Sequence, residues 1–407
     1  MSYENDKRIL RELGKRYMAY ANDPVNLARK KMWSDFNDGT MTRPMVTISQ
    51  ECFHELNTDG FLTLQCEDPL LRAVEEELRT NIYKWENHPA DLVLAPYFSF
   101  PKAVTNSGYG VPVVEKTAET DSSNNVVSHD YVNQFEAEDD LEKIKPMHIT
   151  HDVAETRRRQ ELMEDIFSDI GPVKGLGIKF RLGVWDAIAQ RMSVEDIYYL
   201  LMDEPEFLHQ IVSGFTESVI SGIKEANELE VCESKLQQCH CSYVFDSEFD
   251  TPCKDITYNS WGYGMAQLFT SVSPHITEEF EIPYITKLAG YFKNIYYGCC
   301  EKLSDRMELV TKIPNLRKLS CSPWSDPDLF ADQLPKDVIM SYKPNPAFLA
   351  GDTFDEEAVR KNLRQAIDAA KRNNLRLEML LKDISTVRYE PQRLARWNAI
   401  AMEEVNR

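Results

Sequence analysis

The sequence predicts an α/β protein in which a parallel sheet closes into a βα barrel behind an amino-terminal helical extension. From residue 294 onward, short apolar segments alternate with amphipathic segments in four successive strand-then-helix units. This alternation favours a parallel sheet, because crossover helices must cover its faces. The polar, helix-prone residues 5–35 predict the extension. We place the extension at 1–90 and the barrel at 91–407, since a βα barrel with extensions can use this length as one domain.

Composition limits the class of protein. The 407 residues are 43% hydrophobic and 28% charged, which is enough for a large core in a soluble globular protein. A formal net charge of −20 argues against a nucleic-acid partner, because phosphate binding needs clustered Lys and Arg. No apolar run approaches the roughly 20 residues that a membrane span needs. The amino terminus lacks a signal-peptide pattern, so we expect a cytoplasmic protein with no membrane partner. Nine cysteines, an odd and scattered set, predict reduced thiols.

Periodicity and capping residues predict the elements that precede residue 294. In chain order they are a first barrel strand at 92–96, a lid-like loop at 105–134, a helix at 153–167, a strand at 177–185, a helix opened by Ser193, a long helix from Pro205 to Glu228, and a strand at 235–244. Ser273 and Pro274 supply an N-cap and a first-turn proline for a helix that carries Tyr284.

Each of the four later strands runs into a group of chemically capable residues. The strands at 294–298, 316–320, 337–341 and 375–381 end in Cys299-Cys300-Glu301, Cys321-Ser-Pro-Trp324, Lys343-Pro-Asn-Pro346 and Lys382-Asp383-Ile-Ser-Thr386. In a closed parallel sheet, the loops at the carboxyl ends of the strands build the active site. We therefore expect the functional residues in these four groups.

The paired thiols are the first candidates for chemistry. Successive residues on a strand face opposite sides, so we expect Cys299 to point inward with Glu301 on the same side. A thiolate is both a nucleophile and a soft metal ligand. Two packed thiols after a tight turn at Gly298 are the alternative. His240, between two cysteines, is a weaker candidate, because a lone strand histidine is more often hydrogen-bonded in a core.

The last strand supplies the second group of candidates. Glu378, if it faces the interior, must be paired or bound to metal, and Lys382 is the neutralising partner in the absence of metal. A structural ion pair at the mouth of the barrel is the alternative for Glu378, Lys382 and Asp383. Aromatic residues that could line an apolar pocket, each equally suited to a core, are Trp261, Tyr263, Tyr296, Tyr297 and Trp324.

Several of these segments resemble the uroporphyrinogen decarboxylase-like superfamily, with the closest likeness to the bacterial branch that includes cobalamin-dependent methyltransferases. The resemblance covers roughly residues 90–405. The segments that carry it are Ile295–Leu303, Ile313–Trp324, Lys343–Ala347 and Glu378–Asp383, with support from Asp139–Glu142, Asp203–Glu206 and Ser273-Pro274.

The resemblance implies a TIM-type (β/α)8 barrel that moves a methyl group between a small methylated substrate, such as an aromatic methyl ether or a methylamine, and a corrinoid protein. It also implies zinc, for which the available ligands are Cys299, His240, Glu301 and Glu378. Together with the strand-end and aromatic candidates above, we expect Glu378, Lys382, Asp383 and Glu301 to be catalytic and Trp261, Tyr263, Tyr297 and Trp324 to bind substrate. The chain departs from the methyltransferase pattern where Tyr297 replaces a histidine and where a later cysteine is absent near Lys382.

Two other functions stay open at this point. One is a decarboxylase or lyase of a small acidic compound, although the Arg-rich motif that binds porphyrinogen in the decarboxylases has no match here. The other is a non-catalytic binding protein, because a fold does not fix a function. The expected partners are a corrinoid protein and a small-molecule methyl donor, and a homodimer is left open.

Overall fold

The computed structural model describes residues 2–119, 127–247 and 255–407. Its helices are α1 (Ser2–Ala21), α2 (Pro24–Asn37), α3 (Phe53–Leu56), α4 (Pro69–Asn87), α5 (Val153–Phe167), α6 (Val184–Ala189), α7 (Val194–Asp203), α8 (Pro205–Glu228), α9 (Pro274–Phe280), α10 (Ile282–Ala289), α11 (Met307–Val310), α12 (Pro327–Gln333), α13 (Ala347–Ala350), α14 (Glu356–Arg372) and α15 (Gln392–Val405). Its strands are β1 (Met45–Ile48), β2 (Phe98–Pro101), β3 (Val104–Asn106), β4 (Glu115–Glu119), β5 (Val127–Tyr131), β6 (Ile149–His151), β7 (Val173–Leu176), β8 (Gln238–Cys239), β9 (Ser242–Tyr243), β10 (Trp261–Gly264), β11 (Asn294–Tyr297), β12 (Leu316–Cys321), β13 (Ile339–Tyr342) and β14 (Leu377–Leu381).

A six-stranded sheet organises the molecule, in the order β1-β14-β13-β12-β11-β10. Every neighbouring pair in it is parallel. Strand β1 pairs with β14 over four residue pairs, from Met45↔Glu378 to Ile48↔Leu381. The strand nearest the amino terminus is thus joined to the last strand, and it lies within the 1–90 range expected for the extension. The prediction of an α/β fold with a parallel sheet is confirmed.

The strands of the described ranges do not form a closed eight-stranded ladder. Beyond β10 the sheet continues only through isolated parallel bridges, Arg181↔Tyr263 and Ile178↔Cys232. Strands β2 and β7 make a separate parallel pair. The segment between Gly177 and Gly183 makes only a few backbone hydrogen bonds to its neighbours, two at Ile178 with residues 231 and 233 and one from Leu182 N to Tyr263 O at 2.8 Å.

The four strands predicted after residue 294 are confirmed, with shifts of one or two residues at their ends, and a helix follows each of them. The helix predicted near 304–312 is shorter, since α11 covers only Met307–Val310. Helices α5 and α8 also have the predicted bounds. The side chains of Ser193 and Ser273 accept hydrogen bonds from the third residue after each, as N-caps do. The helix predicted to carry Tyr284 is divided, because α9 ends at Phe280 and α10 restarts with Pro283 in its first turn.

Three predicted strands are wrong. Residues 92–96 form no ladder, because Val93 N and Leu94 N donate to the side chains of Tyr243 and Asn26. Residues 177–185 contain only the two bridges before α6 begins. Within 235–244 the chain turns at His240, whose φ is 54°, and leaves the short antiparallel pair β8 and β9. The predicted loop at 105–134 contains β3, which pairs with β6, and the hairpin β4–β5, while its residues 120–126 lie outside the described residues.

Of the three apolar clusters among the described residues, two flank the sheet, and a smaller third one holds side chains of β10, β11 and β14. The larger one lies between the sheet and the helices that follow its strands. The second one packs α1, α2, α4 and α5 against β1 and β2. Its largest fully buried side chains include Trp33, Phe36, Phe100 and Phe167. Among the described residues no helix is long and apolar enough to cross a membrane. The cysteines in the described ranges are all free, and Cys253 lies outside them.

Candidate functional site

A cavity of about 510 Å³ opens at the carboxyl ends of β10, β11 and β14. Its walls include His240, Tyr263, Cys299, Lys382 and Asp383. The volume lies in the range of small-molecule sites, and the position is the one that parallel sheets use for chemistry. We take this cavity as the candidate active site.

Cys299 faces this cavity, as predicted, but a turn and not strand parity puts it there. Gly298 has a φ of 92°, and a Cβ at this position would approach the side chains of Leu303 and Ser320 to 2.8 and 2.9 Å. Only glycine fits such a turn without strain. Ser320 Oγ then donates to Cys299 O at 2.8 Å, and the Cys299 N–H donates to Glu301 Oε2 at 2.7 Å. The backbone hydrogen bonds of Cys299 therefore fix the position of its thiol.

The Cys299 sulfur is surrounded by hydrogen-bond donors. Lys382 Nζ lies 3.0 Å from Cys299 Sγ, Cys300 Sγ lies at 3.6 Å and His240 Nε2 at 3.8 Å. Tyr263 packs in the same cluster as Cys299, and burial and the Cys299 charge raise the pKa of its phenol. The pKa of Cys299 is lowered by the hydrogen bond from Cys300, against the opposing effect of burial, and His240 and Lys382 lower it further. Cys299 is consequently a thiolate at neutral pH.

Lys382 and Asp383 complete the group around the thiolate. Burial disfavours the Lys382 ammonium, but its pKa is raised because Cys299 and Asp383 stabilise the charge. Lys382 Nζ lies 2.9 Å from Asp383 Oδ2, to which Cys300 donates its S–H at 3.3 Å. The pKa of Cys300 is raised by its hydrogen bond to Cys299. The site thus holds one thiolate, one thiol and one ammonium.

His240 forms a wall of the site because the chain turns at this residue. Its ring stacks on Tyr263 with centroids 4.5 Å apart and meets Tyr296 edge-on at 5.5 Å. Its Nδ1 lies 3.8 Å from Cys241 Sγ, on the side of the ring away from Cys299. Burial opposes the charge of the imidazole, but the two cysteines raise its pKa. His240 therefore bridges two sulfurs, a geometry that the predicted continuous strand would not give.

Glu378 lies beneath the cavity and not in its mouth. Its carboxylate pairs with Lys318 at 2.8 Å, both side chains are fully buried, and Ser242 Oγ donates to the same oxygen at 2.7 Å. The expectation that Lys382 neutralises Glu378 is wrong, because Lys382 lies four residues further along and contacts Cys299. Trp261 is at the start of β10, where Lys318 Nζ lies 5.7 Å from the centroid of its ring. Glu378 and Trp261 form the floor below the site.

Three other predicted site residues also lie away from the cavity. Glu301 is buried and accepts backbone N–H groups from Cys299 at 2.7 Å and Ala266 at 3.2 Å. Burial raises its pKa to about 7. Tyr297 points to the outer face of the sheet, where its hydroxyl donates to Glu281 at 3.0 Å. Trp324 is 69% exposed, outside the cavity wall. Of the four aromatic residues predicted to bind substrate, the structure brings only Tyr263 to the cavity.

Sequence reasoning missed the arginines of the cavity wall and the role of Lys343. Arg181 and Arg191 line the cavity. Arg181 lies in the strand predicted at 177–185, and Arg191 lies between that strand and the helix predicted to begin at Ser193. Lys343, which stands in one of the four predicted groups, is buried and donates to Tyr296 OH at 2.6 Å and Ser320 Oγ at 2.8 Å. Burial lowers its pKa. The position of Lys343 at the end of a predicted strand could have indicated its role in the site. Nothing in the sequence singles out the two arginines.

The residues do not fit the implied zinc ion. Within the described ranges, no group of three or more His, Cys, Asp or Glu side chains is placed to hold a metal. Glu301 uses its oxygens on backbone amides, Glu378 is engaged by Lys318, and the Lys382 ammonium is already a cation beside Cys299. The ligand set Cys299, His240, Glu301 and Glu378 is therefore not assembled, and we derive no step through zinc.

The fold and the site together define a class: an α/β protein with a thiolate–ammonium pair in a cavity at the carboxyl ends of parallel strands. In comparisons with known proteins, no family model and no curated protein matches the chain.

Proposed function

We propose that the cavity is the active site of a methyltransferase, which moves a methyl group from a small methylated substrate to a corrinoid held by a partner protein. The proposal takes the bridges beyond β10 as parts of a TIM-type (β/α)8 barrel. The observation that carries it is the contact of 3.0 Å between Cys299 Sγ and Lys382 Nζ at the wall of the 510 Å³ cavity.

Demethylation needs a proton, and this need accounts for the contact between Lys382 and Cys299. When the bond between a heteroatom and its methyl carbon breaks, the electron pair stays on the heteroatom, which must take a proton to leave as an alcohol or an amine. A corrinoid held by the partner protein would supply the electron pair for the new bond to the methyl carbon. Lys382 provides the proton from its ammonium group, and Cys299 and Asp383 hold that group in place.

The stacked rings position the substrate. His240 and Tyr263 stack with their ring centroids 4.5 Å apart, and both residues line the cavity. A flat wall of this kind binds an aromatic or methylated group without charge and leaves the reacting end beside Lys382. Among the lining residues, Cys300 is half-buried and Asp383 is exposed, so we take their side of the cavity as the one from which a partner protein reaches the methyl group.

The test is methyl transfer to added cob(I)alamin, followed by its ultraviolet-visible spectrum, with a panel of methyl ethers, methylamines and methyl thiols. We expect one class of substrate to be consumed, and Lys382→Met to lower turnover at least about tenfold, since general acid catalysis contributes about 10²–10⁴-fold. The matched control is Lys361→Met on the exposed face of α14, which should leave turnover unchanged. If no substrate of the panel reacts, methyl transfer is abandoned.

One observation favours a second candidate, a decarboxylase or lyase of a small acidic compound. Arg181 and Arg191 line the same cavity as Lys382, and a carboxylate substrate needs such cations. Release of carbon dioxide from a panel of small carboxylic acids, without consumption of cob(I)alamin, would select this function over methyl transfer.

A further inference from the structure

The cavity wall lacks the acidic excess of the rest of the protein. The chain carries 66 acidic and 46 basic residues. The cavity wall holds three fixed cations, Arg181, Arg191 and Lys382, which balance the carboxylates of Asp186 and Asp383 and the Cys299 sulfur. A cation of this wall that has no anionic partner of its own can therefore receive an anion from outside.

Most of these charges already have partners. Lys382 pairs with Asp383 at 2.9 Å and with the Cys299 sulfur. Arg191 donates from Nε to Val111 O at 2.8 Å and from Nη1 to Ala187 O at 2.7 Å, and it lies over the ring of Tyr109. These contacts fix the Arg191 guanidinium in the cavity wall.

The carboxylate of Asp186 is occupied in the same way. It accepts a hydrogen bond from Gln267 Nε2 at 2.8 Å, burial raises its pKa, and the nearby charge of Arg181 acts in the opposite direction without a direct ion pair.

Arg181 is different from the other charges. Among the residues that the structure describes, none makes a hydrogen bond or an ion pair with its guanidinium. The backbone places it, since Arg181 is bridged to Tyr263 in parallel and Leu182 N donates to Tyr263 O at 2.8 Å. Paired residues of neighbouring strands lie about 5 Å apart and point to the same face. Arg181 therefore lies beside the phenol of Tyr263, which packs in the same cluster as Cys299.

We propose that Arg181 is the residue that selects substrates bearing a carboxylate, which its guanidinium binds while the reacting end lies at Cys299 and Lys382. A guanidinium fork matches the two oxygens of a carboxylate. This inference deepens the proposed function by naming its substrate class, a small methylated carboxylate. Only the methyl group of this substrate class rests on the proposed function. The anion site is inferred from the residues of the cavity alone.

A pair of thiol reagents tests the anion site without any corrinoid. Bromoacetylglycine and bromoacetylglycinamide carry the same reacting carbon and differ in the charge of the far end. In both, the Cys299 thiolate forms a sulfur–carbon bond and bromide leaves with the electron pair of the broken carbon–bromine bond. The measured quantity is the ratio of the two second-order rates at Cys299, followed by mass spectrometry of the full-length protein.

We expect the wild-type ratio to favour the carboxylate reagent and Arg181→Gln to lower that ratio about tenfold, with Arg181→Lys in between. The matched control is Arg157→Gln, because Arg157 is a solvent-exposed arginine on α5. Its ratio should equal the wild-type ratio.

A ratio that Arg181→Gln leaves within twofold overturns the proposal, and so does a Cys299 that neither reagent reaches. Arg181→Lys keeps the test valid if the glutamine variant fails to fold. A carboxylate preference together with no methyl transfer would leave the anion site standing and remove the proposed function, so the two failures are distinguishable.

Discussion

At the scale of single residues, the site depends on charges that stabilise one another. Cys299 is a thiolate because Cys300, His240 and Lys382 donate toward its sulfur, and Lys382 stays an ammonium because Cys299 and Asp383 are close. Removing one member should therefore change the titration of the others.

The first prediction concerns Lys382→Met. Loss of the ammonium at 3.0 Å raises the pKa of Cys299, so less thiolate is present at a given pH. Alkylation of wild-type Cys299 by iodoacetamide should be independent of pH between about 6 and 8, whereas the variant should react more slowly at pH 6 than at pH 8. Mass spectrometry of the Cys299 peptide measures the rates. A flat profile in the variant would show that Lys382 does not hold the thiolate.

The second prediction concerns Glu301, whose pKa burial raises to about 7. A carboxyl group with a folded pKa above its unfolded value of 4.5 stabilises the fold fully below pH 4.5, and this contribution is lost as the pH rises to 7. Glu301→Gln removes the titration. Relative to the variant, the wild-type free energy of unfolding should fall by about 3 kcal/mol over that window.

Urea unfolding at several pH values measures this difference. Glu308→Gln, an exposed glutamate on α11, is the control and should follow the wild type at every pH. Parallel curves for Glu301→Gln and the wild type would contradict the assigned burial effect.

At the scale of elements, the floor of the site is a buried ion pair that links two strands across a third. Lys318 on β12 and Glu378 on β14 meet at 2.8 Å, with β13 between the two strands. Breaking such a pair leaves one charge buried, whereas replacing both partners by apolar residues leaves none.

The third prediction follows from this link. Glu378→Leu should lower the free energy of unfolding by about 3–5 kcal/mol, and adding Lys318→Met should restore most of the loss. Denaturant unfolding checks the pair, and the Cys299 alkylation rate of the double variant should stay within about twofold of the wild type because the ion pair lies below the cavity. A tenfold slower rate would return Glu378 to the active site.

At the scale of the whole molecule, the amino-terminal helices are part of the same folded unit as the sheet. Trp33 on α2 is fully buried and donates from Nε1 to Asp91 O at 2.9 Å. Arg376, next to β14, donates to Phe36 O at 2.8 Å. Strand β1 then pairs with β14. These links tie the first 48 residues to the last strand of the sheet.

The fourth prediction tests this unity. Trp33→Ala should cost about 3–5 kcal/mol of unfolding free energy, as truncation of a buried tryptophan does. Leu27→Ala, on the same helix but 54% exposed, is the control and should cost less than about 0.5 kcal/mol. In the tryptophan variant, exposure of Cys299 to a thiol reagent and loss of helix signal should occur at one denaturant concentration. Two separate transitions would show an independent extension.

Local pattern was enough to predict part of this protein. The four strand-then-helix units were found because helical and strand periodicities depend on neighbours within a few residues. The N-caps at Ser193 and Ser273 were found because a cap is a contact with the next turn. Cys299 was placed in the mouth because strand ends gather at one edge of a parallel sheet.

The tertiary structure decided which faces and partners the side chains have. The sequence offers Tyr296 and Tyr297 as equal candidates, and only the register of β11 turns Tyr296 inward and Tyr297 toward Glu281, because a shift of one residue reverses every face. The pairing of Glu378 with Lys318 joins residues 60 positions apart and depends on the strand order. Arg181 reaches the site through one bridge to Tyr263, a contact between distant segments that no local period encodes.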